Sequence, residues 1–203
     1  MKDQYLHSDA EIWSRLIDGD RNAMDDIIRH YYSDMYFFGL KISRNKELTE
    51  DCIQELLADL WVKRERLSKI QSMKPYLLKS LRRRVIRTLS YDEPDTYSDS
   101  FQNDSFLTTE FSVEDKIIQQ QTNEDNKRFL LKALERLSKR QREIVYLKFY
   151  QKLEYSDIAK VMSLKKQSVH NLLQEAIKSM KKYILGPVNM TLLVLMKLLS
   201  NQI

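Results

Sequence analysis

Three glycines (Gly19, Gly39, Gly186) and three prolines (Pro75, Pro94, Pro187) are all that punctuate a chain of 203 residues. Glycine supplies the positive-φ turns and proline the chain stops on which hairpins and tight loops depend. A chain this short of both cannot reverse often. Leu, Ile, Lys, Arg, Glu and Gln fill the intervals, and these side chains lose little freedom in a helix. Long uninterrupted helices follow, and the expected fold class is all-α. The length allows one large or two small domains, each able to bury a core of ordinary size.

The distribution of charge divides the chain. Residues 91 to 125 carry ten acids and one base (Lys116), a local charge of −9, whereas the rest holds 33 bases against 19 acids, or +14. The acidic stretch is rich in Ser, Asp and Thr and its first half lacks helical periodicity, as a linker does. Two basic helical domains are therefore expected at residues 8–90 and 126–184, joined by an acidic linker over 91–125 and followed by a tail over 185–203. One cysteine, Cys52, cannot form an internal disulfide and reads as a small buried apolar residue. No export signal is recognisable at the start, so a cytoplasmic protein is expected.

In the second block a helix over about Asn126 to Leu137 precedes SKRQREIVYLKFYQ, where Ser138 can cap a helix with Ile144, Val145, Leu147 and Phe149 inward. A short helix over Tyr155–Met162 follows, with Ser156 as its cap and Asp157 in its first turn. After a tight turn at Ser163 and Leu164, a further helix from about Gln167 turns Val169, Leu172, Leu173, Ala176 and Met180 inward. This is the pattern of a helix-turn-helix. Its second helix leads with Lys165, Lys166, Gln167, Ser168, His170, Asn171 and Gln174 outward. Lys and Ser can hold phosphates, while Asn and Gln match adenine edges in the major groove. An ordinary solvated bundle helix is the alternative.

The first block carries an independent signal. Residues 63 to 90 hold ten bases against Glu65 alone, with Tyr76, Leu77, Leu81, Val85 and Ile86 at helical spacing. Such a density suits a polyanion, by counterion release at each phosphate; a plain solvated face is the alternative. Arg82, Arg83 and Arg84 spread over about 200° of helix arc and have no carboxylate near them in sequence. Just before this run, Asp51, Gln54, Glu55 and Asp59 share one side of a helix, with Ile53, Leu56, Leu57 and Leu60 on the other. Acids beside a nucleic-acid face would repel DNA, so this patch is expected to meet a protein. Asp51 and Glu55 as a metal pair are the weaker reading.

Together these features resemble the sigma-70 family of RNA polymerase subunits, in its short, extracytoplasmic-function type, over about residues 10 to 183. The turn Gly19-Asp20 ahead of Ala23, leading into a Tyr-rich segment, is similar to the first sigma-2 helices. Asp51, Gln54, Glu55 and Trp61 match the helix that in the family docks on the largest polymerase subunit. By the same resemblance, Lys74, Tyr76, Lys79, Arg82, Arg83, Arg84 and Arg87 lie on the helix that recognises and melts the −10 element. Arg83 stands where members usually carry Asn. Sigma-4 would span about residues 127 to 183, with Lys165, Lys166, Gln167, Ser168, His170, Asn171, Gln174 and Glu175 at the −35 element. His170, Leu172 and Glu175 replace residues that are commonly basic.

The resemblance implies core RNA polymerase and promoter DNA as partners, an anti-sigma factor as controller, and membrane contact only indirectly if at all. It also places the acidic linker in the polymerase's basic channels. No catalytic residue, metal ligand or cofactor is expected: His7, His30 and His170 are scattered, and no Gly-rich phosphate loop is present. The apolar run after Pro187, interrupted by Lys197, is too short for a span of about 20 residues; packing on sigma-4 or masking of a polymerase or DNA surface is the leading reading, and a peripheral membrane or regulator contact the other. Two further function classes are a duplex-binding regulator that works without polymerase and an adaptor that docks without reading DNA. The acidic patch and the two separate basic domains discriminate against the first, DNA-dependent activity against the second.

Overall fold

The computed structural model describes residues 8–92 and 124–184, with side chains placed for 8–90 and 130–183. Most of the expected linker and all of the tail lie outside these residues. Everything described is helix, turn or loop. Residues 8–92 and Ser156–Leu164 fall into one compact unit, residues 124–155 and those from Lys165 into another.

The first unit is built on four helices: α1 (Asp9–Ile17), α2 (Arg21–Ser43), α3 (Lys46–Val62) and α4 (Met73–Asp92), with a 3-10 turn at Arg64–Arg66. Helix α4 thus runs two residues past the expected domain end. Each start has its chemical reason. Ser8 accepts the Glu11 N–H, Asp20 the Asn22 N–H and Asn45 the Leu48 N–H, each satisfying a donor orphaned at a helix start. Gly19 at φ +84° makes the turn between α1 and α2, a conformation side chains rarely adopt. Arg15 then clamps that turn, pairing with Asp20 at 2.8 Å and Asp26 at 3.0 Å.

Helices α2, α3 and α4 pack on one another around Ile27, Met35, Phe38, Ile53, Leu56, Leu77, Leu81 and Val85, all nearly or fully buried. Gly39 sits where α2 comes closest to its partners. A Cβ built there would lie 2.8 Å from Thr49 Cγ2 and 3.3 Å from a Leu81 methyl. Helix α1 closes the unit with Ile12, Trp13 and Leu16. Of the residues at helical spacing on α4, Leu77, Leu81 and Val85 are fully buried, as are Met73 and Leu78, while Tyr76 and Ile86 are half-buried. Cys52 is buried as expected, and burial pushes its thiol pKa up.

The second unit contains α5 (Glu124–Glu135), α6 (Lys139–Val145) with a π turn at Tyr146–Tyr150, and α8 (Lys166–Ile184); α7 (Tyr155–Met162) precedes α8 in sequence. Ser138 caps α6 in a reciprocal capping box with Gln141. The π turn is a departure from the expected face. Ile144 and Leu147 are buried as expected and Tyr146 joins them; Val145, ahead of the turn, and Phe149, within it where the extra residue shifts the helical phase, are half-buried. Ala133 and Leu137 pack with Ala176 and Met180 of α8. In α8 Val169, Leu173, Ala176, Ile177 and Met180 face inward, with Leu172 at the margin.

Helix α7 begins at Tyr155, so Ser156 is its second residue and not its cap. Asp157 does lie in the first turn, paired to Lys160 at 2.9 Å. Ser163 takes a left-handed φ of 54°, and the Leu164 N–H donates back to Ala159 O. A tight turn therefore separates α7 from α8, as the sequence implies.

Candidate functional site

The expected docking residues lie on α3. Asp51, Gln54 and Glu55 are exposed and Trp61 is half-buried, because the face occupied by Thr49, Cys52, Ile53, Leu56 and Leu60 is turned into the core. The Arg64 guanidinium stacks over the Trp61 ring at 4.7 Å and donates to Trp61 O at 2.9 Å. That contact fixes the end of α3.

On α4, Lys79, Arg83 and Arg87 are exposed, as a polyanion-binding face requires. Arg82 is half-buried. Lys74 is committed to an ion pair with Asp34 at 2.9 Å. The three arginines have no carboxylate near them in sequence, yet Arg84 has two near it in space. Its Nη1 donates to Glu55 at 2.7 Å, its Nη2 donates to Asp59, and its side chain is 14% exposed. The two carboxylates are separated from Arg84 by 25 residues or more in the chain, and only the packing of α3 on α4 brings them together.

The electrostatics follow this geometry. Burial opposes the charge on Arg84, but the hydrogen bonds it donates to Asp59 and Glu55 outweigh that and hold the guanidinium above its ordinary pKa. Lys63, at 2.9 Å, and then Arg84 lower that of Asp59. Beside this pair is a cleft of about 240 Å³ between α3 and α4, lined by Lys63, Tyr76, Ser80, Arg83 and Arg87 among others. Tyr76, Ser80, Arg83 and Arg87 recur at helical spacing on one side of α4. Tyr76 meets the ring of Trp13 edge-on at 5.0 Å, and burial raises its pKa.

Two positioning residues escaped the sequence reading. Trp13 donates from its indole Nε1 to Ser68 O at 3.0 Å and so holds the loop between α3 and α4. Asp9 accepts the Met73 N–H at 2.9 Å on one oxygen and the Tyr31 hydroxyl on the other, which caps the first turn of α4 from α1. Burial, then Asp9, raises the pKa of Tyr31. Local spacing carries no trace of either contact.

At α8, Lys165, Lys166, Gln167, Ser168, Asn171, Gln174 and Glu175 are exposed as expected. The Gln167 amide donates to Asn171 Oδ1 at 3.0 Å, so each side chain orders the other. His170 departs from the expectation of an outward side chain. It is half-buried with its ring 5.8 Å from Tyr155, on which Lys148 also rests at 4.8 Å. Lys148 and Tyr155 are thus further residues beside the polar end of α8. Among the described residues no group of three His, Cys, Asp or Glu could hold a metal, and no helix is long and apolar enough to cross a membrane.

Residues 27–92 match the family model of sigma-70 region 2, and residues 129–180 that of sigma-70 region 4. Together these cover more than half of the chain. The chain belongs to the sigma-70 family. It is a sigma factor, a transcription initiation factor and not an enzyme. The region 4 match spans the sequence of α7 and most of α8.

The fold agrees with two solved structures. CnrH, in complex with the cytosolic domain of CnrY, matches with a TM-score of 0.58 at 11% identity, over 86% of this chain and 95% of that one. The sigma factor RpoE of Bartonella quintana, in complex with the anti-sigma factor NepR, matches with a TM-score of 0.55 at 18% identity, over 81% of this chain and 98% of that one. No curated protein matches the chain in sequence. The partners that the sigma-70 regions imply are core RNA polymerase and promoter DNA.

Proposed function

We propose that this sigma-70 factor docks core RNA polymerase with the outer face of α3, through Asp51, Gln54, Glu55 and Trp61. It holds the −10 region of the promoter on α4, through Lys79, Arg82, Arg83 and Arg87 around the cleft at Tyr76, with Lys74 and Arg84 in ion pairs at its margins. The −35 element is read by α8, through Asn171, Gln174 and the Gln167–Asn171 pair, with Lys165, Lys166 and Ser168 on phosphates and His170 and Glu175 at the edge. The domain boundaries proposed are residues 8–90, 91–125 and 126–184, with the tail at 185–203. An anti-sigma factor restrains the protein, and it works in the cytoplasm.

One observation carries this reading. An exposed acid and amide face on α3 stands beside an exposed cationic face on α4 within a single unit. A repressor that only binds duplex has no use for the first, and an adaptor that only docks has none for the second. The anti-sigma proposal is supported by the complexes in which CnrH and RpoE were solved. The test is reconstitution with core polymerase and mapping of transcript starts. Asp51→Asn with Gln54→Ala, which spares the Glu55–Arg84 pair, should abolish co-purification with core polymerase at unchanged melting temperature. Full retention of core binding would refute the docking assignment.

A further inference from the structure

The manner in which Arg84 is held points beyond a simple tie between helices. Its guanidinium is enclosed, at 14% exposure, while Glu55 and Asp59 remain 62% and 41% exposed on their outer sides. Arg84 Nε is buried and has no hydrogen-bond partner among the described residues. An enclosed charge repays its desolvation best when its partners are held with it and every donor is satisfied. This pair is open on its anionic side and incomplete on its cationic side. A cation arriving from outside can compete for Glu55 and Asp59 without unpacking α4. A phosphate gains Arg84 only once those carboxylates have let go.

We propose that Arg84 couples docking to DNA binding. In the free protein Glu55 and Asp59 withhold it from promoter phosphate. When a cationic surface of the polymerase takes the two carboxylates, Arg84 is released to a phosphate beside Arg83 and Arg87. The inference rests on the proposed roles of α3 and α4. Its physical basis is competition among three charged partners for one guanidinium, whose fork fits a carboxylate pair or a phosphate equally well.

The test measures the salt dependence of DNA binding by the full chain without polymerase, on a short duplex carrying an unpaired segment. Each phosphate neutralised steepens the slope of log K against log salt by about 0.7 to 0.9. Arg84→Gln in the wild-type background should leave the slope unchanged, because Arg84 is already withheld. Glu55→Gln with Asp59→Asn should steepen it by that amount, so that affinity falls about threefold more between 50 and 200 mM salt than for wild type. Adding Arg84→Gln to that double variant should remove the increment. Asp25→Asn with Glu47→Gln makes the same change in net charge at exposed sites and should reproduce none of it.

Arg84→Lys retains the charge without the fork, and serves if Arg84→Gln fails to fold. In the wild-type background it should leave the slope unchanged, and a slope lowered by either Arg84 variant would overturn the proposal. An increment that survives removal of Arg84, or that Asp25→Asn with Glu47→Gln reproduces, would overturn it while leaving the assigned faces standing. No binding to DNA in any background would overturn the α4 assignment and the coupling with it.

Discussion

Gly39→Ala perturbs the point where α2 meets both α3 and α4. In an exposed helix this substitution would stabilise by about 1 kcal/mol, since Gly carries the larger backbone entropy. Here the added Cβ would lie 2.8 Å from Thr49 Cγ2, against a carbon–carbon optimum of about 3.5 to 4.0 Å. Thr49 has little room to yield. It is fully buried, its hydroxyl donates to Asn45 O at 2.8 Å and lies 2.6 Å from Ser43 Oγ, and its branched Cβ restricts χ1. Overpacking costs about 1 to 3 kcal/mol. A contact as short as 2.8 Å against a held side chain belongs to the upper part of that range, about 2 to 3 kcal/mol. The helix gain of about 1 kcal/mol leaves a net loss of roughly 1 to 2 kcal/mol.

Urea unfolding of the full chain gives the measurement, with the change read from the midpoint at constant slope. Thr49→Ser, which deletes the offending methyl and keeps the hydroxyl, provides the control. Alone it should cost about 1 kcal/mol; combined with Gly39→Ala it should recover most of the loss, because the new Cβ occupies the space of the deleted methyl. A Gly39→Ala protein as stable as wild type, or additive behaviour in the double variant, would refute the close-approach argument. Because Gly39 of α2 touches both α3 and α4, relief of the clash by a shift of either helix should also disturb the Glu55–Arg84 pair, visible as a shift in the Arg84 side-chain NMR signals.

Further outcomes follow from other contacts. Asp9→Ala strands the Met73 N–H and the Tyr31 hydroxyl together, and should cost roughly 2 kcal/mol in thermal unfolding. Asn171→Ala and Gln174→Ala should each change preference at single upstream promoter positions by about 1 to 3 kcal/mol in a promoter library, whereas Lys165→Ala and Lys166→Ala should weaken all promoters alike and flatten the salt slope. Arg15, and then the Asn22 N–H, hold Asp20 below the usual carboxylate range. A depressed carboxylate stabilises the fold above its unfolded pKa of about 3.9, and that contribution disappears as pH falls through the lower folded value. Arg15→Gln should therefore flatten the acid limb of a urea-midpoint profile taken below about pH 4.

The comparison of Arg84 with Ser138 shows where sequence reading succeeds. Ser138 and Gln141 are three residues apart, and local geometry alone makes them a capping box. The same locality made the helices, the exposed end of α8 and the acid face of α3 legible, since burial at helical spacing involves neighbours within a turn or two. Local spacing does not reveal the ring contact that half-buries His170 against Tyr155, nor the π turn that shifts the phase at Phe149.

By itself the sequence determined an all-helical chain with two basic blocks and one exposed face of each chemical kind. Scarcity of glycine and proline, together with charge segregation, is a property of composition and order, and survives any packing. Only tertiary structure decided which charges are available. Arg82, Arg83 and Arg84 are neighbours in sequence, yet Arg83 is exposed while Arg84 is enclosed between Glu55 and Asp59. Coulomb and hydrogen-bond energies depend on separation in space, and the packing of α3 on α4 sets that separation.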